Sequence, residues 1–139
     1  MAVITNRPIR SILSDSSDSM LRFALRLDGT GCALTGLLAA FLADPMARLS
    51  GLPATAEWIT GALLVGWGTT LYVLAAARGI RRVGAGVLIG NIVATVAVLG
   101  VLAAGVLPLT TAGYAMILGV MAVGIGCGWL QYLGLRRLA

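Results

Sequence analysis

Apolar residues dominate four long stretches of the chain, roughly 24–43, 58–77, 83–107 and 112–135, and polar residues gather between them. Each stretch is about 20 residues or more, the length that crosses a hydrocarbon core about 30 Å thick as an α-helix. The pattern predicts an all-α integral membrane four-helix bundle, a single domain over residues 20–139. A polar, flexible cytoplasmic tail over 1–19 is expected to precede it, because Pro8 and the serine–aspartate run from Ser14 to Ser19 oppose packing. Asp18 or Ser19 is a candidate cap for a helix starting near Met20. Leu21, Phe23, Leu25 and Leu27 then interleave with Arg22 and Arg26, as in a helix whose arginines reach back to lipid phosphates.

The connections carry their own signals. Asp44-Pro45 reads as a helix start, Gly51 as a stop, and Pro53 resets the chain. A short helix lying at the outer interface is expected there, between spans one and two. Trp58 heads the second span, where interfacial tryptophans collect. The second outer loop, 108–111, is short enough to make spans three and four a tight hairpin. The first stretch reads as an uncleaved span, since the polar segment before it is long and Phe41-Leu42-Ala43-Asp44-Pro45 is a poor cleavage site.

Composition sharpens the reading. Of 139 residues, 59% are hydrophobic and 11% charged, and the mean hydropathy is +0.98, far from the polar shell a soluble domain of this size needs. The net charge of +5 does not imply nucleic acid, because the charges fall at membrane edges, where anionic head groups are the natural partner. Nine of the ten basic residues fall on one side of the predicted spans: Arg7, Arg10, Arg22 and Arg26 before the first, Arg78, Arg81 and Arg82 in the turn after the second, Arg136 and Arg137 after the fourth. Only Arg48 falls on the other side. The positive-inside rule then places both termini in the cytoplasm, as an even number of spans also requires. The all-arginine basic set, with abundant alanine and glycine, fits a bacterial inner-membrane protein from a GC-rich genome.

Ionisable and strongly polar residues within spans are the candidate sites. Asp28 is the deepest acid, expected one or two turns inside the cytoplasmic end of span one. It reads first as an interfacial ion pair with Arg81 or Arg82, and alternatively as a proton- or ligand-binding carboxylate. Glu57, at the outer end of span two, is expected either to pair with Arg48 or to face a pocket; Asp44 reads as a cap. Asn91 is the strongly polar residue deep in span three and must find a partner on another helix or a second subunit. Thr69, Thr70 and Thr95 can bond their own backbone, and Gln131 is expected at the interface. Gly86 with Gly90, and Gly124 with Gly128, form GxxxG ridges predicted to pack helices closely.

The chain contains no histidine and no lysine, so no nucleophile–base pair and no cluster of metal ligands can be drawn. No cofactor motif is present and an enzyme is disfavoured. Cys32 and Cys127 form no CxxC pair and read as small packing residues, with a redox pair as the alternative.

Three features resemble the DoxX-like superfamily of small four-span bacterial membrane proteins: the sequence from Phe41 to Pro45, the outer-loop Gly51-Leu52-Pro53, and a second span punctuated by Gly61, Gly66 and Gly68 before the basic turn Arg78-Gly79-Ile80-Arg81-Arg82. As a layout the resemblance covers roughly residues 20–135. It implies the four-span fold, and partnership with thiol, sulfur or quinone oxidoreductase systems for some members; it assigns no residue a role here. Three functions are therefore expected in competition. The first is an accessory or scaffold protein that self-associates or docks on a larger membrane complex. The second is a small transporter or channel, against which stand the lack of an acid in 29–43 and the strong charge bias. The third is a redox partner using Cys32 and Cys127, both on the reducing side.

Overall fold

The computed structural model describes residues 9–138, and their side chains over 18–138. Five helices follow one another: α1 (Ile9–Phe41), α2 (Ala43–Ser50), α3 (Ala54–Ala75), α4 (Ile80–Ala104) and α5 (Thr111–Arg137), with no strand among the described residues. Helices α3, α4 and α5 are each long and apolar enough to cross a membrane. The Asp18–Phe41 stretch of α1 meets the same test together with α2, from which it is bent by 91°. The candidate spans are thus three, or four with the bent pair.

The expected short helix between the first two apolar stretches is α2. It ends at Gly51, whose backbone is left-handed (φ 86°) and whose N–H donates to the Ala47 carbonyl, a conformation only glycine adopts readily. At the other end of α1 the outcome differs from the expectation. The chain is helical from Ile9, so only residues 1–8 of the expected tail lie outside the described residues. Asp18 sits inside α1 and pairs with Arg22 one turn on, at 3.6 Å, instead of capping.

The tightest seam joins α1 to α3. A Cβ built on Gly29 would stand 2.8 Å from the Gly68 carbonyl oxygen, and one on Gly36 would stand 2.5 Å from that of Gly61. Ala33 and Ala40 fill the matching places against Gly68 and Gly61. The small residues recur every seventh position, a period that keeps one face of a helix against its neighbour over several turns. The pairs run in opposite directions along the two helices, so α1 and α3 are antiparallel. Arg22 closes the end of the seam, its Nη1 donating to the otherwise orphaned Ala75 carbonyl at 2.6 Å.

Leu21 organises the same end. It is fully buried with Leu25, Leu71, Ala75, Ile80 and Val87. Its side chain occupies the space left by Gly84 of α4, and its backbone approaches Gly134 of α5. These contacts bring the start of the α1 apolar stretch, the α3–α4 turn and the close of α5 to one end, the arginine-rich one. At the opposite end α2 is tied to α5. Thr110 N–H donates to the Ser50 carbonyl at 2.9 Å and its hydroxyl donates to the Leu49 carbonyl. The same hydroxyl caps α5 by accepting from Gly113 N–H at 3.0 Å.

Candidate functional site

Asp28 lies near the middle of the Asp18–Phe41 stretch, about 15 Å along the helix axis from Asp18 at 1.5 Å per residue. It is 5% exposed and meets α4 and α5. Gln131 Nε2 donates to its Oδ2 at 2.7 Å, and Asn91 Nδ2 donates to the same oxygen at 3.1 Å. Asn91 Nδ2 also reaches Gln131 Oε1 at 3.4 Å. The other carboxylate oxygen, Oδ1, receives only the Cys32 thiol, at 3.7 Å, a weak donor. The shell around this carboxylate is made of donors and contains no guanidinium.

This corrects the expected ion pair. Arg81 and Arg82 are exposed, and the partners of Asp28 are two carboxamides and a thiol. Gln131, expected near the interface, is fully buried within the protein, at 0% exposure. A signal for this was present in the sequence, since Cys127, Gln131 and Gly134 are spaced by four and three residues and form one helical face, and all are buried.

Asn91 behaves as predicted in one respect, finding its partners on other helices. It also does more. A groove of about 460 Å³ runs between α4 and α5, and Asn91 lies in its wall with Thr95. Leu88, Ile92, Val96 and Ile125 make the groove apolar, Trp129 and Tyr132 flank it, and Arg136 stands at its arginine-rich end. The Arg136 guanidinium lies 5.9 Å from the Tyr132 ring centroid. Both amide hydrogens of Asn91 are directed to Asp28 and Gln131, so its carbonyl oxygen is the polar group it has left. The Thr95 hydroxyl donates to the Asn91 backbone carbonyl at 2.8 Å, which leaves its lone pairs as acceptors. The polar part of the groove wall is therefore an acceptor surface backed by a carboxylate.

The remaining candidates fall elsewhere. Glu57 is buried at the other end of the molecule and accepts from the Ser50 hydroxyl at 2.5 Å, while Arg48 is exposed; the expected Arg48 pair does not form, and Glu57 anchors the outer knot. The predicted packing glycines do not pack within the chain. A Cβ on Gly86, Gly90 or Gly124 would meet nothing within 4 Å, and one on Gly128 only the Leu88 side chain at 3.8 Å. Gly124 and Gly128 instead widen the groove. Cys127 is buried one turn from Gln131, and Cys32 is half-buried one turn from Asp28. Among the described residues no three His, Cys, Asp or Glu side chains could hold a metal ion. No protein-family model, no curated protein and no solved structure matches this chain.

Proposed function

We propose that this chain is a small carrier of the bacterial inner membrane, a four-helix bundle with both termini in the cytoplasm, that takes a lipophilic cation or amine from the bilayer. The arginine-rich end faces the cytoplasm on this reading, in keeping with the distribution of charge. The layout that resembles the DoxX-like superfamily fits the same topology. The observation that carries the proposal is the double role of Asn91, which lines the lateral groove and donates to buried Asp28 at 3.1 Å.

The physical argument is one of complementarity. An ionisable side chain deep in a membrane is costly and marks function by default. Had an arginine neutralised Asp28, the pair would serve as an anchor. Its shell instead holds no cation and leaves Oδ1 with only the weak Cys32 donor, while Asn91, which donates to Oδ2, lies in the wall of a groove whose polar groups accept. A ligand bearing a positive charge or N–H groups on an apolar body satisfies the acceptors, offsets the charge, and packs against Trp129.

Tetraphenylphosphonium binding to the protein in lipid nanodiscs tests this, read by Trp129 fluorescence in a Trp58→Phe/Trp67→Phe background. Saturable quenching is expected, weakened about tenfold or more by Asp28→Asn, the loss of one charged contact of ~1.5–3 kcal/mol, and retained by Asp28→Glu. Unchanged affinity in folded Asp28→Asn protein would sink the carrier reading. Recovery of a stoichiometric larger partner from native membranes would return the weight to an accessory subunit.

A further inference from the structure

The groove carries charge of opposite sense at its two levels. Its inner wall offers acceptors from Asn91 and Thr95 with a carboxylate behind, while its mouth offers a guanidinium, Arg136. An entering cation meets the wrong charge first. Arg136 is in the last turn of α5, at the arginine-rich end, and its guanidinium is held 5.9 Å from the Tyr132 ring centroid. Above it, Gly128 and Gly124 of α5 line the groove without side chains and leave an apolar track facing Leu88, Ile92 and Val96 of α4. A cation at the membrane edge, with an apolar track running from it towards the bilayer centre, is the complement of an anionic amphiphile.

We infer that an anionic phospholipid of the bilayer is the resident occupant of this groove, its phosphate on Arg136 and one acyl chain along Gly128 and Gly124. It masks the guanidinium at the mouth and must yield its chain when ligand enters. Lipid and ligand therefore compete for one groove. This deepens the proposed function and rests on it only for the identity of the competitor; the lipid slot itself stands on the groove and Arg136.

Trp129 lines the groove and reports occupancy directly. In the Trp58→Phe/Trp67→Phe protein, nanodiscs are made with brominated phosphatidylglycerol or brominated phosphatidylcholine at equal mole fraction. Phosphatidylglycerol is expected to quench Trp129 with about fivefold higher relative affinity, as one arginine near an anionic head group confers. Arg136→Gln should abolish that preference and Arg136→Lys should keep it. Gly128→Leu, which fills the track without touching charge, should reduce quenching by both lipids. Equal quenching by the two lipids, or a preference that survives Arg136→Gln, overturns the inference. So does loss of the preference on adding millimolar inorganic phosphate, which would make Arg136 a site for soluble anions.

The two readings fail separately. Arg136→Gln in phosphatidylcholine discs should bind tetraphenylphosphonium at least as tightly as the parent does, and Asp28→Asn should retain the phosphatidylglycerol preference. If Asp28→Asn binds the cation unchanged, the carrier reading falls and the lipid slot stands. If only the Arg136 dependence is missing, the lipid slot falls alone.

Discussion

Gln131 Nε2 donates to Asp28 Oδ2 at 2.7 Å across 103 positions of sequence, and this contact fixes the last helix against the first. Both groups are buried, so each is the other's substitute for water. Gln131→Leu should cost about 1–3 kcal/mol by leaving a buried carboxylate short of a donor. Gln131→Glu should cost more, because two carboxyl groups would then share one site. Pairing it with Asp28→Asn restores one acid and one amide and should recover most of the loss. Thermal unfolding in detergent of the parent, Gln131→Glu, Asp28→Asn and the double variant measures the coupling; additive losses would show that the contact carries little.

The α1–α3 seam predicts a steep dependence on side-chain size. Gly61→Ala and Gly68→Ala each place a methyl within 2.5 Å of a backbone oxygen of α1, where only the backbone can give way. A loss of about 1–3 kcal/mol, the usual range for overpacking, is expected for each. Gly90→Ala meets nothing within 4 Å and should leave stability unchanged. Chemical denaturation in mixed micelles separates the two classes.

If Gly86, Gly90 and Gly124 serve self-association, Gly90→Leu should shift the native mass of the purified protein to that of one chain while its helical content is kept. An unchanged mass would leave those glycines to lipid.

The outer knot makes a different prediction. Gly113 lies so close to the Ser50 carbonyl that any side chain there collides with the backbone of α2. Gly113→Ala should loosen α2, read as faster hydrogen exchange at Thr110 N–H, which donates to that same carbonyl. Ser50→Ala leaves buried Glu57 without its hydroxyl partner and should cost about 1–3 kcal/mol. Exchange at Thr110 as slow as in the parent, in Gly113→Ala, would show that α2 is held by other contacts.

Much of the fold was legible in the sequence, and the reason is local. Hydropathy marks each apolar stretch without reference to any other, and the helix stop at Gly51 is read within a few residues, whereas Asp44, expected as a cap, lies in the first turn of α2 behind Leu42 and caps nothing. The site was legible by halves. Asp28 and Asn91 stand out because a charge or amide in an apolar run is conspicuous. That they meet depends on the rotation of three helices about their axes, which a run of hydrophobic residues does not specify. That Gln131 joins them was missed because it sits close in sequence to Arg136 and Arg137, where hydropathy marks the edge of the stretch and not a partner for Asp28. The glycine ridges were sought at four-residue spacing, whereas the seam that forms uses Gly29 with Gly36 and Gly61 with Gly68, seven apart.

The buried residues of α4 are Ile80, Gly84 and Val87, all in its first turns. Mechanically, α4 is a beam clamped at one end. Its far end, near Ala104, is tethered only through residues 105–110 to α5, so thermal motion is expected to grow from the clamp around Leu21 towards Ala104. The groove shared with α5 would then widen by flexing and close by recoil, with Asn91 just above the fulcrum. Spin labels at 98 and 121 would record a broad distance distribution, and labels at the exposed positions 82 and 137 a narrow one.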